Sequence, residues 1–106
     1  MLLHTVNKSA FNSGTLGDCL RVVAENDAVL LFENGVYGAL DNSHSKFSHR
    51  EHIQKLSASG TRFYILQADC EARGLDASAL LPIFTMINDA DFVTLAVEAS
   101  AIQSWY

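Results

Sequence analysis

The sequence predicts an α/β layer fold built on a mainly parallel sheet of five short strands. Short apolar runs alternate with stretches at helical spacing along the whole chain, and such alternation implies a parallel sheet. The run Ala28 to Phe32 shows no polar alternation, as expected of an interior strand covered on both faces. The 106 residues, without a repeat or a low-complexity tract, fit one domain spanning residues 1–106. Its connections should be right-handed.

The elements follow in order. Leu2 to Val6 reads as the first strand, apolar enough to be buried on both faces. Residues 7–14 are loop-like, and Thr15 then reads as a helix cap with Asp18 completing an approximate capping box. Leu16, Cys19, Leu20 and Val23 fall on one face of that helix, which ends in Glu25-Asn26-Asp27. Ala28 to Phe32 is the second strand. Asn34-Gly35 is a turn, Val36 to Leu40 a short helix, and residues 41–48 a polar loop. Arg50 to Leu56 is helical with Ile53 and Leu56 inward, and Gly60 stops it. Arg62 to Leu66 is the third strand, and Asp69 to Gly74 forms one or two helical turns with Gly74 at the C-terminal position. Phe84 to Ile87 is the fourth strand. Asn88 caps a last helix whose first turn holds Asp89 and Asp91, with Phe92, Leu95, Ala96 and Ala99 inward. Ile102 to Tyr106 is the fifth strand.

Charge narrows the function. The chain is 49% hydrophobic and 18% charged, against about 25% charged in typical proteins. Small domains bury a smaller share of their surface, so apolar area shared with a partner is expected. The formal net charge of −5 and the scattered Lys and Arg make a poor match for nucleic acid, so direct RNA or DNA binding is not expected. Met1 to Val6 has no signal-peptide features, and no apolar run approaches the ~18 residues of a membrane span. A soluble, cytoplasmic protein is expected, with Cys19 and Cys70 free rather than bridged.

Few side chains group into chemistry. His44, His49 and His52 lie in one polar segment, and His49 and His52 are three apart. Their spacing matches no zinc motif, so exposed histidines are expected and no metal site is assigned. His4 reads as a packed, hydrogen-bonded strand residue. Gly35 and Gly38 follow a strand without the pattern or the Lys of a phosphate loop, so they read as a turn. A flavodoxin-type nucleotide-binding module is thereby disfavoured, and no cofactor is expected. Trp105 and Tyr106 either close the sheet edge or anchor an interface, joined by Phe84, Met86 and Ile87.

Several segments together resemble the TusB/DsrH family. They are Leu3 to Ser9, Leu16 to Leu20, Ala28 to Tyr37, Leu66 to Leu75, Asp91 to Val93 and Gln103 to Trp105, in order along nearly the whole chain. The resemblance implies a small three-layer, flavodoxin-like or Rossmann-like fold. It also implies assembly with TusC/DsrF-like and TusD/DsrE-like subunits into a heterohexamer with two copies of each. In TusB-type systems that complex passes persulfide sulfur from a small carrier protein onward to 2-thiouridine at the tRNA wobble position. In DsrH-type systems it serves sulfur oxidation, with Cys19 as a persulfide-carrying cysteine.

Persulfide transfer needs an accessible cysteine with a lowered pKa. Cys19 stands where DsrH-like members have theirs, in the pattern Leu-x-x-Cys-Leu. It is the candidate catalytic residue, placed by the helix reading in or just beyond the first turn. Its apolar neighbours allow a plain core role instead, since free cysteine is among the most buried residue types. Cys70, after the third strand, reads as incidental and exposed, with Glu71 opposing a thiolate. The function expected is therefore a mainly structural relay subunit with Cys19 participating, and with little activity of its own. A true Cys19 sulfurtransferase is the alternative.

Overall fold

The computed structural model describes residues 1–41 and 49–106. Five strands, β1 (Leu2–Val6), β2 (Ala28–Leu31), β3 (Arg62–Leu66), β4 (Thr85–Ile87) and β5 (Ala101–Trp105), form one sheet in the order β4-β3-β2-β1-β5. Every pairing is parallel, so the sheet is wholly rather than mainly parallel. Four α-helices accompany it: α1 (Thr15–Val22), α2 (Arg50–Ala58), α3 (Gln67–Ala72) and α4 (Asp89–Glu98). Two 3-10 segments, Glu33–Ala39 and Ala77–Ala79, complete the described elements.

The strand order explains the layers. From β1 to β4 the chain steps one way across the sheet, and then β5 returns to pair with β1. A right-handed crossover made in the opposite direction must lie on the opposite face. Accordingly α1, α2 and α3 cover one face and α4 alone covers the other. Strand periodicity sorts the core in the same way. Val29 and Leu31 of β2 join Val6, Leu16, Cys19, Leu20, Val36, Ile53, Phe63, Ile65 and Cys70 in the larger cluster. Ala28 and Leu30 join Leu3, Leu66, Ile87 and Leu95 in the smaller one.

Local chemistry sets the helix ends. Asn88 Oδ1 accepts from the Asp91 N–H at 2.8 Å, and the Asp91 carboxylate accepts from the Asn88 N–H at 3.4 Å, a complete capping box. The box expected at Thr15 does not form. Thr15 is already the first residue of α1, and its N–H donates to Ser13 Oγ at 3.2 Å, so the serine two residues earlier holds the turn. Gly74, at φ +66°, closes α3 through N–H donation from Gly74 to the Glu71 carbonyl and from Leu75 to the Cys70 carbonyl.

Several boundaries move. The helix expected at 36–40 is a 3-10 segment that starts at Glu33, α1 ends at Val22, β2 ends at Leu31, α2 runs on to Ala58, α3 spans Gln67–Ala72, β4 starts at Thr85, and β5 starts and ends one residue early. The polar loop at 42–48, His44 included, lies outside the described residues. Phe84, Met86 and Ile87, expected beside the terminal aromatics, stand instead at the opposite edge of the sheet from β5. Phe84 belongs to the larger cluster, against which Met86 and Trp105 also pack, and Ile87 to the smaller one. The Phe84 ring meets Phe63 edge-on at 5.4 Å.

Candidate functional site

In open α/β sheets ligands gather beyond the C-terminal ends of the strands, at the point where the strand order reverses. Here the order reverses between β1 and β5, whose ends bring Val6 beside Trp105. Gly35 closes in from the end of β2, where a Cβ would collide with the Val6 carbonyl, so only glycine fits. Next to it Glu33 holds a left-handed φ of +48°. Its N–H donates to Asp69 Oδ2 at 2.6 Å, and Arg73 Nε donates to Asn34 Oδ1 at 3.0 Å. α3 thus clamps the turn after β2 in a strained shape, as chains do where a surface must be fixed. Between the turns after β1 and β2 lies a groove of about 420 Å³ lined by Ser9, Phe11, Asn12, Asn34, Tyr37 and Leu40. Its lining carries no charge.

Below this rim a hydrogen-bonded chain crosses the sheet. Trp105 Nε1–H donates to His4 Nδ1 at 3.1 Å, and the two rings lie near parallel with centroids 6.3 Å apart. An indole nitrogen only donates, so Nδ1 is unprotonated and the proton of this neutral imidazole sits on Nε2. That nitrogen meets Asp27 Oδ2 at 3.1 Å. Asp27 also accepts from the Leu2 and Ala24 N–H groups, both at 3.1 Å. Burial opposes the Asp27 charge, but these donors outweigh it and hold the carboxyl below the ordinary carboxylate range. The packed His4 expected from the sequence is present, 1% exposed. Asp27 as the hub was missed: it reads as a helix end, and its one sequence signal is a lone carboxylate immediately before an all-apolar strand.

Neither thiol is a partner in these hydrogen bonds, though Cys70 lies on the clamping helix α3 and Cys19 within reach of the Asp27 charge. Cys19 is on the inner side of α1, in the second turn, and fully buried. Burial, with a smaller contribution from the Asp27 charge, pushes its thiol up to about 12. The helix N-terminus does not rescue it, because the dipole effect fades within the first turn. Cys70 is buried too, not exposed as expected. Burial raises its pKa, Asp69 and Glu71 add to the rise, and Arg73 opposes it. In this fold both thiols are protonated and covered at neutral pH.

His49 precedes α2 and packs over Gly17, where a Cβ would sit 3.2 Å from its Cε1. Burial, then His52 and Arg21, lower its pKa. His52 is exposed. Among the described residues no three His, Cys, Asp or Glu side chains gather where they could hold a metal ion. None of the described helices is long and apolar enough to cross a membrane.

Comparison with known proteins covers nearly the whole chain. A family model described as "DsrH like protein" matches residues 8–102. Protein TusB of Erwinia tasmaniensis is 36% identical over 104 residues, which is 98% of this chain and all of that one. Protein TusB of Pectobacterium parmentieri is 33% identical and that of Shigella flexneri 31%, over the same lengths. Among solved structures, the ychN protein from E. coli superposes with a TM-score of 0.85 over 97% of both chains at 12% identity. Protein MTH1491 from Methanobacterium thermoautotrophicum gives 0.74 over 96% of both, also at 12%. These two likenesses establish the fold.

Proposed function

The chain belongs to the DsrH-like family, and from that premise we propose that it is a mainly structural subunit of a cytoplasmic sulfur-relay complex. The complex passes persulfide sulfur toward 2-thiouridine at the wobble position of tRNA. The partners are TusC/DsrF-like and TusD/DsrE-like subunits, two copies of each chain in a heterohexamer, with the sulfur-carrier protein reaching this chain only indirectly. The observation that carries the proposal is the end-to-end match to proteins of the TusB name. That name favours tRNA thiolation over the sulfur-oxidation branch.

The chemistry supports a structural role. A sulfur carrier needs a thiolate in reach of a donor, and both thiols here are buried and protonated. The net charge of −5 disfavours tRNA contact by this chain itself. Participation of Cys19 is the second reading, supported by its place in the family pattern. It requires α1 to lift from the sheet during transfer.

The test is complementation of Escherichia coli cells that lack their own TusB. Chromatography and mass spectrometry of the tRNA nucleosides should show wobble 2-thiouridine restored by this chain. If the chain is expressed and folded and 2-thiouridine stays absent, the proposal fails.

A further inference from the structure

α4 is apolar on its outer side as well as its inner one. At about 100° per residue, Leu95 and Phe92 point to the sheet, and Ala90, Val93 and Val97 point the opposite way. Val93 is 62% exposed and Val97 79%. Between Phe92, Val93, Ala96 and Val97 lies a shallow groove of about 260 Å³. Ile102 of β5, in register with Leu3, faces the same side of the sheet and is 50% exposed. A helix with apolar stripes on two opposite sides can bury one against its own sheet and leaves the other for something else to cover. In this chain only one side of α4 is covered.

Charge says what kind of surface completes it. Beyond Arg73 the chain has four acidic residues, Asp76, Asp89, Asp91 and Glu98, and no Lys or Arg. Three of them stand on α4, Asp89 on one flank of its apolar stripe and Asp91 and Glu98 on the other. Arg62 of β3 reaches the second flank from the sheet, beside Asp91 and Glu98. A second copy of the same chain would bring like charges together across this stripe, which costs free energy. A surface with an apolar centre and a Lys/Arg rim satisfies both the stripe and its flanks.

We propose that the outer face of α4, with Ile102 of β5, is the docking surface for a different protein chain, one that presents an apolar patch rimmed by basic residues. This rests on the assembly described above and specifies which surface of the subunit makes it. The thiols are not part of it: they lie under the helices of the opposite face.

Native mass spectrometry of the full chain co-expressed with its TusC-like and TusD-like partners tests the surface. The double variant Val93→Glu, Val97→Glu should lower the assembled fraction about ten-fold or more, because charges introduced at an interface centre are poorly tolerated. Val22→Glu, on the exposed side of α1, should change it less than about two-fold. Asp89→Asn with Glu98→Gln should weaken assembly in low salt and little in high salt. Hydrogen exchange on the unaltered proteins covers the case of a misfolded variant: α4 amides should become protected on assembly. A double variant that folds and assembles fully, or α4 exchange that assembly leaves unchanged, overturns the surface and leaves the relay assignment standing. A dimer of the chain alone that the double variant abolishes overturns the choice of partner. If the unaltered chain ignores both partners, the assembly itself is refuted, and the surface with it.

Discussion

One face of the sheet lies under α1, α2, α3 and the first 3-10 segment; the other lies under α4 alone. The thickly covered face holds Cys19, Cys70 and the larger core cluster. The thinly covered face holds a small cluster and an outer surface of valines rimmed by carboxylates. Groups able to do sulfur chemistry are therefore shut away where the chain is most complete. The capacity to bind another molecule sits where the chain is least complete. This division is what a structural subunit needs, and it comes directly from one return crossover.

Substitutions on the two faces should separate these roles. The largest loss of stability is expected from Leu31→Ala, fully buried between strands and helices, at about 3–4 kcal/mol in urea unfolding. Leu95→Ala, on the inner side of α4, should cost about 2 kcal/mol in the isolated chain. Equal costs would mean that the second face is as fully packed as the first.

Asp27→Ala should cost about 3 kcal/mol, since it strands His4 Nε2 and the N–H groups of Leu2 and Ala24. Acid sharpens this. The folded carboxyl titrates below its unfolded value of about 3.9, so its contribution is fully present above that pH. It is lost as pH falls through the lower folded value. Asp27→Asn should therefore flatten the stability decline of the wild-type chain in that acid range, as followed by circular dichroism.

Cys19→Ser should cost about 1–2 kcal/mol by burying a hydroxyl among Leu16, Leu20 and Val23. In the native chain neither thiol should react with an aromatic disulfide reagent, and both should react once the chain is unfolded. Fast modification of native Cys19 would show that α1 opens readily. The smallest effect on the isolated chain belongs to Val97→Glu, at less than about 0.5 kcal/mol, because the side chain is mostly in solvent.

The sequence and the structure agree where periodicity decides. Every strand and the cap at Asn88 were legible, because apolar runs and a carboxamide before Asp89 and Asp91 each have one local interpretation. Thr15 was misleading because Ser13 competes for the same turn through its own hydroxyl. The clamp of Asp69 and Arg73 on Glu33 and Asn34 spans 36 and 39 residues, and no local pattern announces such a contact. Cys70, between Asp69 and Glu71, was placed on the surface because it follows the third strand, where the strand ends open. In a helix those neighbours point elsewhere and the thiol turns inward. The outer stripe of α4 was hidden because Val93 and Val97 read as ordinary helix residues until the covered side was known.

The most direct test follows sulfur itself. The complex, assembled with its partner subunits and loaded by its sulfur donor, is digested under non-reducing conditions. Mass spectrometry then reads each cysteine for the gain of one sulfur atom. Persulfide should be found on a partner subunit, and neither Cys19 nor Cys70 should gain mass. A persulfide on Cys19 that forms and disappears at the pace of transfer would contradict the structural role and make this chain a carrier.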